Sequence, residues 1–387
     1  MDVSVYIGRR IRFRNRIVVA SVAISFLVMI VAIAVSSGFR KELRDGLSEM
    51  SGDIRISHPS HSWLDSSSPV SMNHSALPVV AETDGVEEVV PVVYRAGIVR
   101  TGEDIHGVLV KGVDRKDTVA LSISVPQSFA DRTGLGVGDE LMTYFVGSRM
   151  KARRFRISEI HPSIIDVEGR FVIYADIDDM RRLNGWSEDE ASVFEVMLSS
   201  DMRDEQSMEL MENEVGFILN SYASEEDDTL ISSSAVSRFP QVFDWLQLID
   251  FNVFFILLLM TVVAGFNMIS GLLIMLFENT STIGLLKSLG MTDKAIAKVF
   301  LSSSAVLVSK GLLIGNLTAF ALCLLQDATH LLRLDPENYF VPYVPVHVDM
   351  PMILVADVAA FVVIMLLLLI PSLFISKVDP AETVRIK

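Results

Sequence analysis

Lys310 is the residue whose surroundings most demand a chemical explanation. It lies inside a long apolar run, about 16 Å deep if a helix enters near Val299 and rises 1.5 Å per residue. A cation at that depth costs roughly 3 kcal/mol on insertion scales unless it is paired or wetted. Asn267 lies on the preceding apolar run, about 15 Å from its end at Phe277 by the same arithmetic. The matched depths predict that Lys310 bonds Asn267 or Ser270, with Ser302 to Ser304 and Ser309 extending an intramembrane polar seam. The alternative is a lysine stem that snorkels into a wet pocket. Asp357 falls near the end of a further apolar run, where water is expected to reach it. Elsewhere the chemically able residues do not gather. His58, His61 and His74 share a Ser- and Pro-rich loop with Asp65, at no spacing that tight metal sites use, so they read as solvated histidines and no metal is expected. No GxxxxGK[ST] phosphate loop and no nucleophile elbow occurs in the sequence. No catalytic residue and no cofactor is assigned, and the chain is not expected to hydrolyse ATP.

The elements that must hold these residues follow from hydropathy. The 387-residue chain is 50% hydrophobic, enough for a soluble domain plus several spans. Four runs reach the roughly 20 apolar residues a spanning helix needs, near 17–37, 251–277, 297–324 and 352–375. Arg9, Arg10, Arg12, Arg14 and Arg16 precede the first run, so the positive-inside rule places residues 1–16 in the cytoplasm. The same rule puts 278–296 inside, with Lys287, Lys294 and Lys298, 325–351 outside, and the tail 376–387 inside. Ala32-Ile33-Ala34 looks like a signal-peptidase site. The run is longer than a signal core, however, and Phe39, Leu43, Leu47 and Met50 continue its helical stripe, so an uncleaved anchor extended as a stalk to about residue 50 is expected.

Charge separates the exterior part from the spans. Between Ser36 and Asp250 there are 38 acids and 20 Lys/Arg, net −18, against +3 for the rest of the chain. Such an acidic block argues against nucleic-acid binding. The single cysteine, Cys323, excludes an intrachain disulfide. Within 51–231, runs rich in β-branched residues alternate later with helical periodicity, giving an α+β lobe of ferredoxin-like or porter type. Val236, Phe239, Val242, Phe243, Leu246 and Ile249 then form the stripe of a second stalk helix, 232–250. Arg149, Lys151, Arg153 and Arg154, with Arg156, make a basic cluster. It reads as a solvated hairpin edge or as a docking patch for an acidic partner.

The segment 278–296 organises the rest. Trapped between two apolar runs, it is a tight loop at one membrane face. Ile283, Leu286 and Leu289 recur at helical spacing beside Leu285, which predicts a short amphipathic helix closed by Gly290, shaped to dock in another protein's groove. Ile283 to Thr292, IGLLKSLGMT, resembles the "EIGLLRALGAT" loop of the MacB/FtsX-type permease superfamily of ABC transporters, which contacts a separate ATPase subunit. Where the family has an acid before the Ile this chain has Thr282, with Glu278 a turn earlier. Val378 to Arg385 resembles the closing "DPAEALR" signature, and Gly134 to Leu141 the "LGLKVGDKV" turn of external domains. Asp335 to Val346 resembles the "LDPEYY...YVPV" segment of the LolC/LolE-like lipoprotein-releasing branch.

The resemblance implies an α-helical multi-pass permease with four spanning helices and a large α+β, MacB-like periplasmic domain between the first two, set in a bacterial inner membrane with both termini cytoplasmic. It implies an ATPase-coupling segment of Glu278, Ile283, Gly284, Leu286, Lys287 and Gly290. The implied partners are a separate ATPase, a second permease copy, lipoprotein cargo and a periplasmic carrier. Phe39, Leu43, Phe251, Phe254 and Phe255 are candidates to line a cargo cavity, with ordinary packing between spans as the alternative. An FtsX-type signalling permease acting on a cell-wall hydrolase and a MacB-like efflux permease are the alternative functions.

Overall fold

The computed structural model describes residues 16–62, 68–102, 104–115, 119–146, 150–161, 171–335, 339 and 341–372. The first helix, α1 (Arg16–Ser51), is followed by β1 (Ile54–Ser57), β2 (Val70–Ser71), α2 (Leu77–Ala81), β3 (Val86–Thr101), β4 (Asp104–Val113) and β5 (Ser122–Pro126). Next come α3 (Gln127–Thr133), β6 (Glu140–Phe145), β7 (Lys151–His161), β8 (Phe171–Asp176), α4 (Ile177–Asn184), β9 (Glu190–Ala191) and β10 (Val193–Leu198). The chain continues through α5 (Glu205–Ser221), β11 (Ile231–Ser234), α6 (Ala235–Arg238), α7 (Pro240–Glu278), α8 (Thr280–Ser288), α9 (Asp293–Thr329), α10 (Met350–Leu367) and α11 (Leu369–Ser372). It divides into two compact units. One comprises Met1–Arg40, Leu246–Arg333 and Val344–Lys387, the other Lys41–Trp245 and Leu334–Tyr343.

The helical unit contains the stretches long and apolar enough to cross a membrane: α1, α7, α9 and α10 with α11. At 1.5 Å per residue the 36 residues of α1 make about 54 Å and the 39 of α7 about 58 Å, against a hydrocarbon core of about 30 Å. Its interior is apolar, with Val22, Phe26 and Met29 of α1 meeting Met268 and Leu272 of α7, Phe300 and Val308 of α9, and Ile364 of α10. Lipid chains are as apolar as leucine, so helices here associate through close packing, and glycine permits it. A Cβ at Gly311 of α9 would stand 2.6 Å from Val22 of α1, and one at Gly315 would stand 2.6 Å from the Ala23 carbonyl oxygen. The small-xxx-small pair of α9 is therefore a docking stripe for α1.

The other unit is built on one long strand. Residues 86–92 of β3 pair with β10, extending the sheet β11-β1-β10-β3, while Val93 to Thr101 pair with β4. From β4 the order continues β8-β5-β7-β6, and β6 returns to β3 through Gly97↔Phe145 and Val99↔Thr143. Six strands thereby close into a barrel. Alternate residues fill it, among them Val99, Val108, Val110, Ile123, Val125, Phe145, Phe155 and Ile173. Closure needs Gly97, where a Cβ would lie 2.7 Å from the Thr143 side chain. The four-stranded sheet is the expected ferredoxin-like lobe: β1, α2, the first half of β3, β10, α5 and β11 run β-α-β-β-α-β with the antiparallel order β11-β1-β10-β3. The barrel inserted between β3 and β10 was not expected, because its closing pairs join residues far apart in sequence. The expected hairpin edge is present over Lys151 to Phe155, which among the described residues pair with β6 alone; only at Arg156 does β7 meet both β5 and β6.

Gly315→Leu is expected to lower the thermal unfolding midpoint of the purified chain in detergent by several degrees. Gly107→Ala, where an added Cβ meets nothing within 4 Å, is expected to leave it unchanged.

Candidate functional site

The hairpin between α7 and α9 folds as local chemistry requires. Gly290, at φ +86°, ends α8 in a Schellman motif: its N–H donates to the Lys287 carbonyl at 2.9 Å, and the Met291 N–H donates to Leu286 at 3.0 Å. Thr292 caps α9 by accepting from the Ala295 N–H, and Lys287 pairs with Asp293 at 3.0 Å, tying α8 to α9. Ile283 and Gly284 are buried, and Leu286 packs onto the cluster that holds Ile296 and Phe300. The expected docking face is thus split. Ile283, Gly284 and Leu286 face the chain's own bundle, because a short helix tethered at both ends buries its main apolar stripe against the nearest apolar surface. Glu278, Leu285, Leu289 and Gly290 remain outward, with Leu289 76% exposed.

The expected polar seam is not formed. Lys310 and Ser270 are exposed and Asn267 is half-buried, with no bond between Lys310 and either partner among the described residues. The cause is helical phase: Gly311 must face α1, and one residue earlier points about 100° away. The buried polar pair lies elsewhere. Asn316 Nδ2 of α9 donates to Asp357 Oδ2 of α10 at 2.6 Å, and Asp357 is buried rather than open to water. Asp250 of α7 accepts from Ser36 Oγ at 2.9 Å and pairs with Arg40, joining α7 to α1.

The five proposed cavity residues also separate. Phe39 and Leu43 are buried, whereas Phe251, Phe254 and Phe255 are exposed and stack edge-to-face with centroids 4.7 and 5.9 Å apart. An apolar cavity of about 230 Å³ lies instead between Val31 and Val35 of α1, Leu322 and Cys323 of α9, and the segment carrying Leu332 and Val344. Gln326 stitches that segment down, accepting from the Leu332 N–H at 3.0 Å and donating to the Val344 carbonyl at 3.1 Å. In the basic cluster, Arg149 lies outside the described residues. Lys151 donates to the Leu183 carbonyl, Arg153 is exposed, and Arg154 pairs with Glu140 at 3.3 Å. His74 is buried rather than solvated, its Nε2 at 3.1 Å from the Asp228 carbonyl, while Asp65 lies outside the described residues.

The α+β unit holds a buried ionic joint at the end of α1. Lys111 Nζ donates to the Glu49 and Met50 carbonyls, both at 3.0 Å, and to Glu195 at 2.8 Å. Arg238 of α6 donates to the Ser51 and Gly52 carbonyls at 2.7 and 2.5 Å. The Tyr94 hydroxyl donates to Glu195 with the Met50 carbonyl 3.2 Å away, and the Arg55 guanidinium sits 5.3 Å over its ring. Burial, then the Glu195 charge, holds the Tyr94 hydroxyl well above its usual range, so it remains a donor. Burial, then Arg55, pushes Arg238 down to about 9, which leaves it charged at neutral pH. Beside it the Asp53 carboxylate accepts from the Leu198 N–H at 2.8 Å and from Arg203 at 3.1 Å, and burial pushes its pKa up. Sequence reasoning missed this joint. Its one signal was charge at strand positions flanked by apolar residues, Lys111 after Val110 and Glu195 between Phe194 and Val196.

Lys111→Met is expected to destabilise the chain by about 3–5 kcal/mol, since it leaves a buried carboxylate without its cation. The double substitution K111M/E195Q is expected to cost less than that single change. Denaturant unfolding followed by tryptophan fluorescence distinguishes the two.

Residues 254–380 match the model of the FtsX-like permease C-terminal family. Over 408 residues the chain is 23% identical to the lipoprotein-releasing system transmembrane protein LolC of Xylella fastidiosa, covering 97% of this chain and 94% of the relative. The LolC of Neisseria meningitidis serogroup B is 21% identical over 415 residues, covering 96% and 94%. Among solved structures, the periplasmic region of MacB from Actinobacillus actinomycetemcomitans aligns with a TM-score of 0.32 at 11% identity, covering 50% of this chain and 95% of that one.

Proposed function

We propose that this chain, a permease carrying an FtsX-like C-terminal domain, is the membrane subunit of an ABC-type machine that releases lipoproteins from an inner membrane to a soluble carrier. Its termini are cytoplasmic and its α+β unit periplasmic, and ATP is hydrolysed by a separate subunit. A second permease copy, identical or paralogous, completes the membrane part. The cargo assignment is supported by the near full-length similarity to proteins named as lipoprotein-releasing.

The observation that carries the coupling role is the built hairpin with Leu285 and Leu289 turned outward. A partner groove engages those two leucines with Glu278 and the Gly290 turn. Force applied there reaches α9 directly, because Ile283 and Leu286 pack with Ile296 and Phe300 and because Lys287 is tied to Asp293. From α9 it passes to α1 through the glycine stripe, and from α1 to α7 through Asp250. Both α1 and α7 exceed the bilayer's thickness and run unbroken out of the helical unit. A stroke at the hairpin therefore becomes motion of long helices, with no solute pathway needed between them. Extracting a lipid anchor opposes about 0.8 kcal/mol per buried methylene, which explains why such a machine needs ATP.

Leu285→Asp/Leu289→Asp is expected to leave the chain folded while reducing its retention of the ATPase in pulldowns by at least about tenfold, since two buried apolar contacts are worth several kcal/mol. Full retention by this variant, or a wild-type complex without any nucleotide-hydrolysing companion, would overturn the coupling role.

A further inference from the structure

A groove of about 450 Å³ runs between the first turns of α9 and the end of α10 with α11. Its lining is graded. Lys294 and Lys298, one turn apart and both exposed, stand at one end, while Leu301 and Ala305 of α9 face Met365 and Leu369 further along. The Ser302 and Ser372 hydroxyls also line it, but they donate to the Val299 and Leu369 carbonyls at 2.8 and 2.7 Å. Among the lining residues, the two ammonium groups thus carry all the charge.

We propose that this groove binds one anionic phospholipid, with the phosphate against Lys294 and Lys298 and an acyl chain along Leu301, Ala305, Met365 and Leu369. Three observations select that occupant. Both charges are positive, and basic pockets between spanning helices at a membrane face recognise anionic headgroups. The eleven-residue rise from Lys294 to Ala305 is about 16 Å, close to the depth of one leaflet's hydrocarbon. The apolar end would stay unfilled under an acidic peptide or a free phosphate, whereas an acyl chain fills it. The lysines lie at the end of a spanning helix, at headgroup level on either orientation, so the inference does not rest on the cargo or on which face is cytoplasmic. The bound lipid sits at the base of the α8–α9 hairpin and fixes the depth of α9 where the proposed stroke enters.

The test is native mass spectrometry of the purified full-length chain, loaded with phosphatidylglycerol or with phosphatidylcholine of the same acyl composition. The wild type is expected to retain one phosphatidylglycerol in preference to phosphatidylcholine. K294Q/K298Q is expected to lose that retention by roughly tenfold, given the strength of basic residues near an anionic surface. K294R/K298R should keep it, and K310Q, which removes a lysine away from the groove, should leave it unchanged. A305F fills the apolar end without touching the charges and is expected to lose the lipid as well, with unfolding temperature monitored to exclude misfolding. Equal retention of the two lipids, retention by K294Q/K298Q, or loss in K294Q/K298Q with full retention in A305F would overturn the proposal. So would a photocrosslinker at position 301 that captures protein instead of lipid.

Discussion

A helix that ends inside a protein leaves its last carbonyls without partners, and the end of α1 shows what must be built around them. Ser48 accepts from the Gly52 N–H, Glu49 and Met50 accept from Lys111, and Ser51 accepts from Arg238. Each orphan carbonyl is satisfied, and cations stand where the helix dipole is negative. The cations are themselves buried, so Glu195 must be present, and Tyr94 and Arg55 follow to complete its surroundings. Gly52, at φ +67°, lets the chain turn directly into β1, where a Cβ would lie 2.7 Å from Glu195. Four strands and a helix preceding α7 therefore converge on one helix end. A hydrophobic contact would stabilise the same place, but hydrogen bonds to carbonyls also fix direction.

The helical unit solves a different problem. With little hydrophobic drive between helices in lipid, specificity comes from close backbone approach and from a few polar pairs. Gly311 and Gly315 set the α9–α1 contact, Asn316 and Asp357 join α9 to α10, and Asp250 joins α7 to α1. Once the glycines choose the phase of α9, Lys310 is committed to the outside of the bundle.

The hairpin links the two themes, since its inner residues attach it to α9 and its outer ones are free for a partner. A helix with apolar residues on two sides can be part of one protein and still bind another. That division gives the outward leucines a stiff backing.

Much of the architecture was legible in the sequence. Length and hydropathy marked four helices, the spacing of Ile283, Leu286 and Leu289 with the Gly290 turn marked the hairpin, and alternation marked β3, β4, β8 and β10, because each signal is carried by neighbours in the chain. The barrel was not legible: β5 is short, and closure depends on Gly97 meeting Phe145. The sequence likewise exposed Lys310 as anomalous but not which way it points, and it marked Phe39 and Phe251 as apolar but not that one is buried and the other exposed. The joint unites residues far apart in sequence: Lys111 and Glu195 are 84 positions apart, and Arg238 and Ser51 are 187 apart. The sequence by itself determined which segments are helices, which are strands and which run is acidic, since periodicity and local hydrogen bonding act over a few residues. Only the tertiary structure decided which face of each helix is covered and which charges meet, because those depend on rotational phase and on nonlocal packing that no short stretch encodes.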